Sequence, residues 1–183
     1  MSDTADCNIA WFNCHAGVAG DMTMASLVDA GADPDEVAST IAGLGVDGYA
    51  LLFERVQRCG VGATWANVVV DHDHHDHDHG PPHRPAREVL ALLDAADLPA
   101  RVRERARRVF LRLAEVEGDI HGVDPAEVEF HEVGALDSIV DVVGVCAALE
   151  SLDIDEVWCS PIAVGHGEIR SSHGLIPNPA PAT

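Results

Sequence analysis

A polar tract at residues 71–80 constrains the fold more than any other part of this sequence. The tract reads Asp-His-Asp-His-His-Asp-His-Asp-His-Gly, with five histidines, four aspartates and no apolar side chain. Such a segment cannot join a hydrophobic core, because buried polar groups without partners are costly. We therefore predict a flexible His/Asp-rich loop over residues 71–84, between a β-hairpin and a helical segment.

The side chains of this tract are also suited to binding a metal ion. In extended backbone, successive side chains point to opposite sides, so each side of the tract carries both imidazoles and carboxylates. Mixed nitrogen and oxygen ligands suit a borderline divalent ion such as nickel, zinc or copper, and imidazole is mainly neutral at pH 7. A solvated loop without a bound metal is the alternative, because the pattern is compositional. The candidate metal ligands of the tract are His72, His74, His75, His77 and His79.

The charge balance restricts the partners of the chain. Its 183 residues include 11 Lys+Arg against 31 Asp+Glu, which gives a formal net charge of −20. Such a field repels nucleic acid and anionic membranes and attracts cations. The five cysteines form no CxxC pair, and we recognise neither a leader nor an apolar run that could cross a bilayer. We expect a cytoplasmic protein with free thiols.

The spacing of apolar residues predicts an α/β fold. Strands are expected at 7–14, 49–57, 62–70, 128–132, 157–160 and 162–169. Helices are expected after Asp21, from Asp33-Pro34, and at 87–96, 100–120 and 137–151. The strands at 49–57 and 62–70 should form a hairpin, and the loose alternation of the remaining elements favours a mixed sheet flanked by helices.

The main part of the chain and its C-terminal residues differ in their predicted structure. Residues 1–170 are expected to form one α/β domain, whose length is ordinary for a single unit. Residues 176–183 alternate proline with small residues, which is typical of an extended, polyproline-like segment. We expect residues 171–183 to be a Pro-rich connector toward a C-terminal half that this chain does not include.

The turn between the first strand and the first helix is one candidate site. It contains Cys14, His15, Gly17, Gly20 and Asp21. Free backbone N–H groups at such a turn can bind phosphate, so we predict cofactor binding by the two glycines and the aspartate. Cys14 and His15 are adjacent candidate metal ligands. In the alternative, Cys14 is a buried thiol and Asp21 caps the helix.

A second candidate site lies around the predicted strand at 128–132. His131 and Glu132 leave the end of that strand, where α/β proteins usually bind ligands, and Asp137 and Asp141 share one helix face. Taken singly, each residue has a structural explanation, such as a helix cap or a dipole partner. Taken together, four ionisable groups within eleven residues favour a site. The candidate catalytic residues are His131, Glu132 and Asp137.

Two further patterns are weaker. His166 and His173 stand beside glycines, where backbone can approach a ligand closely, but surface turns explain them equally well. A stripe of arginines on one helix face could hold a phosphate, although pairing with nearby glutamates is favoured. The stripe consists of Arg101, Arg105, Arg108 and Arg112.

Several of these motifs together resemble one family. In chain order they are the turn at 13–22, the turn at 56–60, the histidine tract, the block at 130–144 and the closing residues 173–183. This combination resembles the nickel-insertion proteins of nickel-pincer cofactor biosynthesis, the LarC family, over essentially the whole chain. The family usually has Asp and Phe where this chain has Asn13 and His15, which makes His15 a candidate ligand specific to this sequence.

The resemblance implies a nickel chelatase, or cyclometallase. Family members insert Ni(II) into pyridinium-3,5-bisthiocarboxylic acid mononucleotide, forming two Ni–S bonds and one Ni–C bond, and the product serves lactate racemase and related enzymes. The reaction is of the lyase class and consumes CTP with Mg or Mn, which the family binds in its second half. This chain would supply nickel binding and part of the insertion site.

The partners implied are the mononucleotide substrate, a separate C-terminal half of the same protein and a downstream nickel-dependent racemase. A nickel store or metallochaperone without turnover is the alternative function. A metal-dependent hydrolase that uses His131, Glu132, Asp137 and Asp141 ranks third.

Overall fold

The computed structural model describes residues 7–70, 84–130, 133–171 and 174–181. In chain order the elements are β1 (Ile9–Phe12), α1 (Gly20–Asp29), α2 (Pro34–Ala42), β2 (Tyr49–Arg58), β3 (Val61–Val70), β4 (Arg84–Pro85), α3 (Ala86–Ala95), α4 (Ala100–His121), β5 (Glu129–Phe130), α5 (Leu136–Ser151), β6 (Glu156–Cys159), β7 (Glu168–Ser171) and β8 (Gly174–Pro177). The α/β class predicted from the sequence is confirmed. Within the described part of the chain, no helix combines the length and the apolar character needed to cross a bilayer.

The strands pair two by two instead of forming one mixed sheet. β1 and β6 are parallel, whereas β2–β3, β4–β5 and β7–β8 are antiparallel, and these four pairs are separate sheets in the described residues. Local patterns indicate that a strand exists but carry little information about its partner. The prediction of a single sheet was therefore wrong, while the hairpin of β2 and β3 was right.

The predicted strand at 162–169 was also wrong. Residues 161–166 have no regular structure, and the strand in this region, β7, begins at Glu168 and pairs with β8 in a hairpin. Alternating Ile162 and Val164 imitate a half-buried strand, yet both side chains are exposed. β8 covers residues 174–177, so this part of the predicted connector is a paired strand.

Helix α5 is the centre of the core and packs against α1, α2 and α4. Half of its sixteen residues are buried, as expected for a helix that is apolar on most sides. Gly144 makes this packing close, because a Cβ at that position would overlap the Met24 sulfur of α1. Asp33 caps the start of α2, where its side chain accepts the N–H groups of Asp35 and Glu36.

The topology determines where a site can form. β1 runs directly into the turn that leads to α1, and α5 is followed by β6, which lies parallel to β1. The carboxyl ends of these two strands, Phe12 and Cys159, are register partners. Such an edge is where open α/β sheets usually bind ligands.

Candidate functional site

Hydrogen bonds from the backbone of Cys14 connect the segments that follow β1 and β6. The Cys14 N–H donates to Ser160 Oγ at 2.9 Å, and the Cys14 carbonyl accepts from the N–H groups of Gly17 at 3.1 Å and Ala163 at 3.0 Å. Gly17 has a φ of +88°, which L side chains rarely adopt. These contacts shape the turn at residues 14–17 as one edge of the candidate site.

Cys14 and His15 lie in different environments although they are adjacent. Cys14 is buried, with 4% of its surface exposed, and its sulfur lies 3.9 Å from the Phe12 carbonyl oxygen. His15 is exposed. In the described ranges, no group of three or more His, Cys, Asp or Glu side chains is arranged to hold a metal ion, so the ligand roles of Cys14 and His15 stay predictions.

The structure brings the two sequence clusters into contact. Asp141 of α5 reaches the first turn of α1, where a Cβ added to Gly20 would lie 2.6 Å from Asp141 Oδ2. The Asp141 carboxylate also accepts the backbone N–H of Asp21. Gly20 is therefore needed for space, because any side chain there would displace the carboxylate from the start of the helix.

Three carboxylates, Asp21, Asp137 and Asp141, form what we call the acidic cluster. The pKa of Asp141 is raised from 3.8 to about 6, mainly by burial and further by the charges of Asp21 and Asp137, while the backbone hydrogen bond from Asp21 acts in the opposite direction. Asp141 Oδ1 is buried and has no hydrogen-bond partner among the described residues. The cluster therefore favours the approach of a proton or a cation.

Asp21 and Asp137 do not cap their helices. The residues at the cap positions are Ala19 and Ala135, and neither makes a side-chain capping bond. Each aspartate instead accepts the N–H of the residue that follows it, at 2.8 Å in both cases. The capping alternative for these two residues was wrong, and both carboxylates contribute charge to the acidic cluster.

The predicted phosphate-binding role of Gly17, Gly20 and Asp21 stays a prediction. The start of α1 already faces the Asp141 carboxylate. This carboxylate interacts with the partial positive charge of the helix N-terminus, which would otherwise attract a phosphate. Negative charge from the acidic cluster makes this end of the helix better suited to a cation than to a second anion.

A groove of about 670 Å³ runs along β1 and α1 and reaches the turn at Cys14 and Gly17. This volume falls within the usual range for small-molecule sites, about 300–1,000 Å³. The described residues that line it carry no charge, and Trp11, Val18 and Met22 give it an apolar wall. The groove is thus suited to a planar ring and offers no guanidinium for a phosphate.

The first two arginines of the stripe, Arg101 and Arg105, have a structural role. Arg101 forms ion pairs with Glu150 at 3.2 Å, Asp153 at 3.1 Å and Asp155 at 3.3 Å, and Arg105 donates to the Ile154 carbonyl. Pairing was the favoured interpretation, but these partners lie at the end of α5 and in the α5–β6 connection, not on α4 itself. Further along α4, Arg112 pairs with Glu115 as predicted.

Some predicted site residues cannot be placed, and others were missed. The tract histidines at 72, 74, 75, 77 and 79, together with His131 and Glu132, lie outside the described residues. Ser160 was not predicted as a site residue, although its position directly after β6, at a strand's carboxyl end, was an available signal. The backbone N–H of Ala163 gave no signal, because any residue except proline could supply it.

Thiol reactivity offers a direct check on the placement of Cys14. Cys7, Cys59 and Cys159 are exposed, whereas Cys14 and Cys146 are buried, and burial raises the pKa of Cys146 to about 12. Because the thiolate is the reactive species, we expect N-ethylmaleimide to modify only the three exposed cysteines in the native chain. Mass spectrometry after a short exposure would measure this, with urea-unfolded protein as the control. Rapid modification of native Cys14 would contradict the burial described above.

Comparisons with known proteins agree with one another. The family model described as nickel insertion protein matches residues 10–183. A relative from Staphylococcus epidermidis, named pyridinium-3,5-bisthiocarboxylic acid mononucleotide nickel insertion protein, is 41% identical over 173 residues, which cover 94% of this chain and 42% of the relative. A putative nickel insertion protein from Thermomicrobium roseum is 46% identical over 176 residues, which cover 96% of this chain and 42% of that protein.

A third relative, a putative nickel insertion protein from Geobacter metallireducens, is 44% identical over 177 residues, covering 96% of this chain and 44% of its own length. The chain therefore spans less than half the length of these curated relatives. No solved structure matches it. Since the family model covers nearly the whole sequence, the chain belongs to the nickel insertion protein family.

Proposed function

We propose that this chain takes part in inserting nickel into pyridinium-3,5-bisthiocarboxylic acid mononucleotide, and that it supplies nickel binding and part of the insertion site. The observation that carries this proposal is the 41% identity, over 94% of the chain, to a relative named for that reaction. The geometry supports it, because the turn after β1, the start of α1 and the acidic cluster meet at one edge of the molecule.

In this proposal nickel is a substrate that passes from a loose site to a tighter one. The histidines at 72–79 collect Ni(II) weakly, and exchange among equivalent ligands allows its release. The ion then moves to a site near Cys14, His15 and His131. The negative charge of the acidic cluster raises the local concentration of divalent ions along this path.

Forming a Ni–C bond also requires the loss of a ring proton. A positioned base contributes about 10²–10⁴ in rate when its pKa lies near the working pH. His131 and Glu132 are the first candidates. Asp141, with a pKa raised to about 6, is a third candidate for the base. Asp137 would then act through its charge, which helps to raise the pKa of Asp141.

The triphosphate of CTP does not fit the site described here. A triphosphate needs basic side chains or free N–H groups, whereas this edge carries the acidic cluster and a groove lined by uncharged described residues. We assign CTP to the part of the relatives' length that this chain does not cover. We place this lyase-class reaction in the cytoplasm. Its product would pass to a lactate racemase-type enzyme.

Reconstitution would test the proposal. The chain is mixed with Ni(II), CTP, Mg(II) and the bisthiocarboxylate mononucleotide, with and without the uncovered part of the Thermomicrobium roseum relative, and the nickelated product is followed by absorbance. We expect product only when both polypeptides are present. Calorimetry with Ni(II) should show uptake by the chain alone, most of it lost when residues 72–79 are deleted.

Two variants separate capture from insertion. His131→Ala should keep most of the nickel stoichiometry while product formation falls, whereas deletion of 72–79 should reduce both. A chain that binds nickel but no mononucleotide would support the metallochaperone alternative. Hydrolysis of the mononucleotide without nickel transfer would support the hydrolase alternative. Either result would overturn the insertion proposal.

A further inference from the structure

The outer face of the β1–β6 pair is exposed and strongly apolar. Ile9 and Trp11 of β1 are 53% and 62% exposed, and Trp158 of β6 is 58% exposed. Trp11 and Trp158 are register partners, so their side chains stand next to each other on one face. Ala10 and Phe12 alternate with them and pack against the core. We call Ile9, Trp11 and Trp158 the outer patch.

This exposure is unusual for strands of this kind. Parallel strands occur almost entirely in sheets whose two faces are both covered, yet all four residues of β6 are exposed, and among the described residues only Ala10 and Phe12 of this pair pack against the core. The chain has three tryptophans, and two of them lie in the outer patch. A contiguous exposed apolar surface of large side chains marks an interaction site.

The polar atom of one of the two rings in the outer patch is already hydrogen-bonded. The indole N–H of Trp158 donates to Glu156 Oε2 at 2.9 Å. Because that donor already has its acceptor, covering the Trp158 ring removes apolar surface from water without leaving its N–H unpaired. Tryptophans with such a satisfied polar atom are the typical anchors of protein interfaces.

The β6 edge of the β1–β6 pair also leaves space for further chain. Besides the groove beside β1 described above, a second groove of about 940 Å³ separates β6 from α4. Val109 and Leu111 of α4 line the second groove and are 40% and 39% exposed. The pair therefore lacks both a covering layer and flanking strands within the described part of the chain.

Length and charge identify the occupant. The curated relatives are more than twice as long as this chain, which covers 42–44% of them. A second copy is a poor occupant, because each chain carries a net charge of −20 and a twofold contact on this face would bring Glu156 of each copy near the other. We propose that the outer patch is the docking surface for the polypeptide corresponding to the uncovered part of the relatives.

Hydroxyl-radical footprinting would test this docking. The probe is a chimera in which this chain replaces the matching part of the Thermomicrobium roseum relative, compared with the 183-residue chain alone. We expect oxidation of Trp11 and Trp158 to fall several-fold in the chimera. Trp65 of β3, which is 38% exposed and outside the outer patch, is the internal control and should be oxidised equally in both proteins.

A variant keeps the test independent of oxidation chemistry and of nickel insertion. The double substitution Trp11→Ser and Trp158→Ser should leave the Tm of the isolated chain nearly unchanged but lower that of the chimera by several degrees, whereas Trp65→Ser should affect both proteins alike. Equal oxidation of Trp11 in chain and chimera would overturn the proposal. The proposal would also be overturned if protection of Trp11 from oxidation in the isolated chain increased with chain concentration, because a second copy would then occupy the outer patch.

Discussion

Replacing Phe110 by alanine is expected to lower the free energy of unfolding by about 3–5 kcal/mol, the usual cost of deleting a buried phenylalanine ring. Phe110 lies on α4 and has no exposed surface. Its ring centroid is 6.1 Å from that of Phe130, with the planes tilted by 49°. The ring pair joins α4 to β5, so the substitution removes both apolar burial and the contact that anchors β5.

Urea denaturation at neutral pH would measure this loss. Leu111→Ala is the matched control, because Leu111 is the next residue of α4 and is 39% exposed; its effect should stay within about 0.5 kcal/mol. Phe110→Leu keeps much of the buried volume and should lose about 1 kcal/mol. Similar midpoints for Phe110→Ala and Leu111→Ala would contradict the packing described here.

Local sequence signals were sufficient for most of the helices and for the hairpin. Asp33-Pro34 marked the start of α2 because an aspartate cap and a proline in the first turn satisfy the same helix end. Cys59 and Gly60 marked the turn between β2 and β3, and both have positive φ, +50° and +81°. Such a pair matches the twist of the strands it joins.

Long-range pairing could not be predicted in the same way. β1 and β6 come from opposite ends of the chain, and no sequence pattern in either segment indicates that the other is its partner. The same limit applies to the candidate site. The sequence indicated Gly20 and Asp141 as members of two separate clusters, but their contact depends on how α1 packs against α5, which is a property of the core.

The pKa of Asp141 leads to a prediction in which stability and activity change in opposite directions. We expect Asp141→Asn to raise the free energy of unfolding by about 1 kcal/mol at pH 8 and to leave it unchanged at pH 4. The full difference between a pKa of 3.8 and about 6 would correspond to roughly 3 kcal/mol. Asp141 is half-buried, and solvent screening reduces the effect.

The sign follows from proton binding. The folded chain holds a proton on Asp141 more tightly than the unfolded chain, so between about pH 4 and pH 6 it binds more protons and its stability falls as the pH rises. Above about pH 6 the whole cost of the buried charge is present. Asparagine carries no charge and can still accept the N–H of Asp21. Thermal unfolding at pH 4, 6 and 8 would detect this pH-dependent gain, and an equal gain at all three values would contradict it.

The same substitution should slow nickel insertion by about 10²–10⁴ if Asp141 accepts the ring proton. In the parent protein the rate should rise as Asp141 ionises near pH 6, and this limb of the pH profile should disappear in Asp141→Asn. Asp137→Asn is the control, because it removes a charge from the acidic cluster at an exposed position while the Asp141 carboxylate remains. It should shift that limb to lower pH and keep most of the rate. An equal loss of rate in both variants would show that the cluster acts only through its total charge, with no proton transfer to Asp141.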